Sequence, residues 1–119
     1  MSVQADTATQ DIQLKYDEFQ KSCKNILPKV DQRLIEDFLF RQQEDSEFKP
    51  RFSLEVNTRE GLDTQKMRDL IWNKIRELPV IDYNGTYYRI ECTLTLGLLK
   101  QLSDHDYVLS VKGSYVDYF

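Results

Sequence analysis

The sequence predicts an α+β domain in which a four-stranded antiparallel sheet is covered by helices, with two further helices ahead of it. Three observations carry this. Apolar residues recur at helical spacing before residue 45 and again over 64–78. From Arg51 onward, four separate stretches alternate with period two instead. Asn84-Gly85 stands between two of those stretches, a strong hairpin signal, because both turn residues take positive φ and Asn and Gly tolerate it best.

Residues 1–9 are small and polar and are expected as a flexible tail. Residues 10–119 are expected as one domain, made of a helical extension over 10–45 and a core over 51–119. In the extension, Ile12, Tyr16, Phe19, Cys23, Ile26 and Val30 are spaced by fours and threes, which is a narrow helical seam. Pro28 should end or kink that helix, since its ring removes a donor and clashes one turn back. Asp31 can cap a second helix with Leu34, Ile35, Phe38 and Leu39 on its apolar face, fading at the polar RQQEDSEFKP.

After Pro50, RFSLEVN sets Phe52, Leu54 and Val56 against Ser53 and Glu55, a strand with one wet face. Asp63 or Thr64 can cap the helix traced by Met67, Leu70, Ile71, Ile75 and Leu78, which Pro79 should stop. With Asn84-Gly85 as a two-residue loop, Asp82 faces Tyr87 and Ile81 faces Tyr88. Ile81, Tyr83, Tyr88, Ile90 and Cys92 then share the apolar side, and Asp82, Tyr87, Arg89 and Glu91 the polar one. Thr95 can cap a short helix carrying Leu96, Leu98, Leu99 and Leu102. The last strand is expected to set Tyr107, Leu109 and Val111 against Val108, Ser110 and Lys112, with Gly113 as a bulge or an end.

The order after residue 50 is therefore β-α-β-β-α-β, the split βαβ or ferredoxin-like arrangement, which hides one face of its sheet under two helices. The two leading helices are expected either to cover the open sheet face or to pair with a second copy, the seam of the first making a homodimer through the N-terminal helix one of two outcomes.

Composition narrows the function. Residues 1–50 hold seven Lys/Arg against ten Asp/Glu and residues 51–119 hold nine against ten, for a net charge of −4. No basic arm is present, so strong binding to a phosphate backbone is not expected. The two cysteines, Cys23 and Cys92, do not form the paired framework of a small secreted domain. The opening MSVQADTATQDIQ lacks the basic and apolar regions of a secretory signal. No apolar run approaches the roughly 20 residues that span a bilayer. A cytoplasmic protein without membrane contact is the expectation.

Candidate chemistry is sparse. His105, the only histidine, sits between Asp104 and Asp106 in SDHDY, a setting open to general-base or metal-ligand roles. Adjacent turn residues do not converge on one point, however, and no second ligand stands at metal spacing. Cys92 lies among strand apolars with no base nearby, as a buried inert thiol would. Gly61, Gly85, Gly97 and Gly113 are scattered and make no phosphate-cradling loop. No catalytic, cofactor-binding or metal-ligating residue is assigned.

Binding remains. Trp72 lies off the apolar stripe of its helix, with Arg68 and Arg76 one turn to either side. Trp and Arg are enriched at interface hot spots, and a guanidinium on an indole adds a cation–π term. Against this, Trp72 is also the kind of side chain that packs beneath the N-terminal helices while its arginines reach out to water. The expected function is a non-catalytic protein–protein interaction module, an accessory, adaptor or regulatory subunit. Arg68, Trp72 and Arg76 are its anchors, and Tyr87 and Arg89 a second patch. The rival is an RNA or other nucleic-acid binder using Tyr87, Arg89 and Lys112 on the open sheet face. There TYYRIECT replaces the glycine- and aromatic-rich third strand of RNA-binding sheets, and Glu55, Asp82 and Glu91 repel phosphate. A small enzyme around His105 is the third reading.

Overall fold

The computed structural model describes residues 3–44 and 50–116. Its elements run α1 (Val3–Ile26), α2 (Gln32–Glu44), β1 (Arg51–Thr58), α3 (Thr64–Ile75), β2 (Val80–Asp82), β3 (Tyr87–Thr93), α4 (Leu96–Asp104) and β4 (Val108–Tyr115). The four strands form one antiparallel sheet in the order β2-β3-β1-β4. Both chain crossovers skip one strand: α3 carries the chain from β1 past β3 to β2, and α4 carries it from β3 past β1 to β4.

β1 is central, and its alternation is complete. Phe52, Leu54 and Val56 are fully buried, while Ser53, Glu55 and Asn57 are half-buried on the other face. β3 matches it across the ladder, with Leu54 opposite Ile90 and Val56 opposite Tyr88. Met67 and Ile71 of α3 and Leu98, Leu99 and Leu102 of α4 close over this face, all fully buried. α2 joins the same layer, since the Phe38 ring meets Phe52 edge-on with centroids 6.1 Å apart. No helix of the described residues therefore covers the face bearing Glu55, Tyr87, Arg89 and Lys112, contrary to one of the two expectations for the leading helices.

The helix ends follow the sequence closely. Asp31 Oδ1 accepts the Arg33 N–H at 3.1 Å, Asp63 Oδ1 the Gln65 N–H at 3.0 Å, and Thr95 Oγ1 the Leu98 N–H at 3.2 Å. α1 ends just before Pro28, and the following Lys29–Asp31 segment lies along β4. Asp31 N–H donates to Val111 C=O and Val111 N–H to Lys29 C=O, both at 2.8 Å. This bridge pairs part of an edge that would otherwise stand open. Lys29 also fastens α4, its ammonium reaching the His105 C=O at 2.6 Å and its N–H the buried Ser103 hydroxyl at 3.3 Å.

Four local expectations need correction. The helical backbone of α1 already includes residues 3–9, expected as a tail; Met1, Ser2 and Asp45, the last residue of the extension, lie outside the described residues. The seam of α1 rotates after Cys23, so that Leu27 is buried in place of Ile26, and at its other end Ile12 stays in water. Leu27, in the last turn before Pro28, reaches the core because the chain turns there toward α4.

Tyr83 leaves the apolar set. It begins a 3-10 turn, Tyr83–Gly85, in which three successive residues have positive φ, and its side chain is 77% exposed. The strand register around it is nonetheless as expected, Ile81 opposite Tyr88 and Asp82 opposite Tyr87. The loop is simply longer, because Thr86 N–H and hydroxyl both return to the Tyr83 C=O. In β4 the ladder with β1 slips between Asn57 and Thr58, so Val108 and Val111, three apart, are both buried while Tyr107 and Leu109 point out. A bulge adds a residue to one strand and reverses the alternation beyond it. It sits at the start of β4, not at Gly113.

Gly113 has another reason to be glycine. It lies opposite Leu54, and a Cβ there would stand 2.5 Å from the Ser53 carbonyl oxygen. Backbone atoms of the central strand cannot yield as a flexible side chain would. Gly113→Ala should therefore lower unfolding free energy by about 1–3 kcal/mol, the usual range for overpacking, measured by urea denaturation with an unchanged m-value.

Candidate functional site

α3 carries the only tryptophan of the chain on its outer flank. Its Asp63 cap fixes where the helix begins, and burial of Met67 and Ile71 fixes its rotation. Arg68, Trp72 and Arg76 then fall along one flank at intervals of one turn. Trp72 is 42% exposed and does not lie beneath the N-terminal helices. The helix stops sooner than Pro79 requires. Arg76 adopts a left-handed conformation, φ 58°, and its N–H closes the end on the Trp72 C=O at 2.8 Å. In that conformation the Arg76 guanidinium sits 5.8 Å from the centre of the Trp72 ring.

The early stop releases Leu78 from the core stripe to which its spacing had assigned it, and it is 65% exposed. Leu78 and Trp72 line a depression of about 280 Å³ together with Gln65, Arg68 and Asp69. On its other side, Leu78 lines a second depression of about 570 Å³ on the open sheet face, with Val80, Arg51 and Arg89 among its walls. Val80 is 48% exposed. Trp72, Leu78 and Val80 thus form an apolar strip running from the outer flank of α3 round the β2 edge, with arginines beside it and the carboxylates Asp69, Glu77 and Glu91 in the same walls.

Of the five predicted contact residues, Arg68, Trp72 and Arg76 come together, and Arg89 reaches the same strip through Leu78. Tyr87 stands apart. Its hydroxyl donates to Glu55 Oε1 at 2.9 Å, and its ring meets Tyr83 edge-on at 5.7 Å. The Glu55 hydrogen bond, which needs the phenol proton, holds the Tyr87 pKa above its ordinary value. Glu55 also pairs with Lys112 at 3.5 Å. Leu78 and Val80 were not legible as surface groups. The only hint is Pro79 between them, which prevents a helix from continuing there.

His105 takes part in a turn. Its Nδ1 accepts the Tyr107 N–H at 3.2 Å and its carbonyl accepts Lys29, while neighbouring Asp104 is paired with Lys100 at 2.9 Å. Cys92 is fully buried, and burial pushes its thiol up to about 11. Cys23 is buried and raised for the same reason. Among the described residues, no three His, Cys, Asp or Glu side chains gather as a metal site, and no helix is long and apolar enough to cross a membrane.

Compared with family models, curated proteins and solved structures, the chain gives no match.

Two buried groups give measurable consequences. Cys92 is held protonated by the fold, so its contribution to stability is complete below the ordinary thiol value of 9.0 and is lost as pH rises through about 11. Wild type should lose more stability between those pH values than Cys92→Val does, which thermal melts across that range would detect. The Tyr88 hydroxyl is buried without a hydrogen-bond partner among the described residues. Tyr88→Phe removes an unsatisfied polar atom while keeping the ring, so stability should hold or rise by about 1 kcal/mol in chemical denaturation.

Proposed function

We propose that this chain is a non-catalytic protein–protein interaction module, an accessory, adaptor or regulatory subunit of the cytoplasm. Its docking surface is the strip of Trp72, Leu78 and Val80 flanked by Arg68, Arg76 and Arg89. The observation that carries this reading is the exposure of Trp72. A large aromatic group 42% open to water, continuous with two more exposed apolar side chains and rimmed by arginines, has the composition of an interface centre. The strand order, with β3 between β1 and β2, supports describing the core as ferredoxin-like. That architecture serves many functions, so it adds nothing to the choice among them.

The nucleic-acid reading needs Tyr87 and Lys112 available on the open face. Glu55 engages both. The same carboxylate would repel phosphate, so the sheet face supports that reading poorly.

Trp72→Ala tests the proposal. The variant should lose no more than about 2 kcal/mol, well short of the roughly 3–5 kcal/mol for truncating a buried Trp, because much of the ring already faces water. Used as bait, Trp72→Ala and Leu78→Ser should fail to retain proteins that wild type retains from its native extract. Identical retention by wild type and both variants would overturn the reading.

A further inference from the structure

The two flanks of α3 differ from the rest of the protein in charge. Counted with its two caps, Asp63 and Arg76, α3 carries four cations, Lys66, Arg68, Lys74 and Arg76, against two acids, Asp63 and Asp69, in a chain whose net charge is −4. Asp69 is already engaged, accepting from the Gln65 amide at 2.9 Å. The ion pairs found among the described residues use Lys15, Arg41, Arg51, Lys100 and Lys112. Arg68 and Arg76 form none. They flank Trp72 with their charge uncompensated by any carboxylate at ion-pair distance among the described residues.

We propose that the partner supplies the missing carboxylates: an acidic protein segment with one large apolar side chain, lying along the Trp72 flank of α3. This rests on the interaction-module reading and specifies its partner. The apolar side chain enters the depression between Trp72 and Leu78, whose volume of about 280 Å³ falls just below the roughly 300–1,000 Å³ of small-molecule pockets. Acidic groups of the segment meet Arg68 and Arg76, whose planar guanidinium groups can accept a carboxylate in bidentate fashion. The Arg76 guanidinium already stands beside the indole, 5.8 Å from the ring centre. The apolar strip distinguishes this surface from a phosphate track, since Leu78 and Val80 offer nothing to a sugar–phosphate backbone.

Trp72 is the only tryptophan in the chain, so its emission reports on this surface alone. The probes are three short synthetic peptides that share a central Leu set among Asp/Glu, among Asn/Gln, or among Lys. The acidic peptide should shift Trp72 emission to the blue and bind at least about tenfold more tightly than the amide peptide, with the lysine peptide silent. Arg68→Gln combined with Arg76→Gln should erase the acidic preference while leaving the circular dichroism spectrum and melting temperature as in wild type. Equal binding of acidic and amide peptides, or no shift with any of them, would overturn the proposal. A larger response to a single-stranded oligonucleotide would assign the surface to nucleic acid instead. A blue shift with rising protein concentration alone, accompanied by a doubled light-scattering mass, would assign it to a second copy. No acidic preference in wild type, with partner capture still dependent on Trp72, would remove this inference and leave the interaction reading intact; capture independent of Trp72 would remove both.

Discussion

The burial of β1 between β3 and β4 is the constraint on which the rest of the molecule depends. Phe52, Leu54 and Val56 have no exposed surface, and each faces a partner on both neighbouring strands. Because successive strand residues point to opposite faces, a slip of one position would carry all three into water and bring Ser53 and Glu55 into the core. At about 1.5–3 kcal/mol for burying each large apolar side chain, such a slip is strongly disfavoured. This registry places Gly113 against the β1 backbone, fixes which face α2, α3 and α4 cover, and leaves the opposite face to Glu55, Tyr87, Arg89 and Lys112.

The exposed strip is a consequence of that same packing. Met67 and Ile71 turn α3 so that its flank carrying Trp72 cannot reach the sheet. The left-handed Arg76 then ends the helix before Leu78 can join the buried stripe. A helix continuing to Pro79 would have extended the stripe by another turn. What results is an apolar strip whose shape follows from how α3 is rotated and where it ends, with Arg68 placed on the helix, Arg76 at its cap and Arg89 on β3.

The leading helices divide their labour. α2 extends the core through Leu34, Ile35 and Phe38, and its Arg41 stacks over Tyr115 at 3.6 Å while pairing with Asp37. α1 is held mainly by its C-terminal half, through Phe19, Cys23 and Leu27, with Tyr16 reaching Glu36 at 3.1 Å. Its Ile12 and Leu14 stay in water. The Lys29–Asp31 segment between the two helices binds backbone to backbone along β4, so the extension is joined to the sheet by hydrogen bonds as well as by apolar contact.

The sequence by itself determined the order of elements, the three side-chain caps, the wet and dry faces of β1 and β3, and the pairing of Ile81 with Tyr88. Each of these depends on neighbours close in the chain or on a period that one buried face imposes. Tertiary structure alone decided where those periods break. The β4 bulge answers the shape of β1, the outward turn of Tyr83 follows from a loop closed by Thr86, and the exposure of Trp72 follows from the rotation of α3 that buries Met67 and Ile71. Arg68, Trp72 and Arg76 were legible as a group because helical spacing is local. Their union with Leu78, Val80 and Arg89 was not, because it joins a helix end, a strand edge and a sheet face that meet only once the chain has folded.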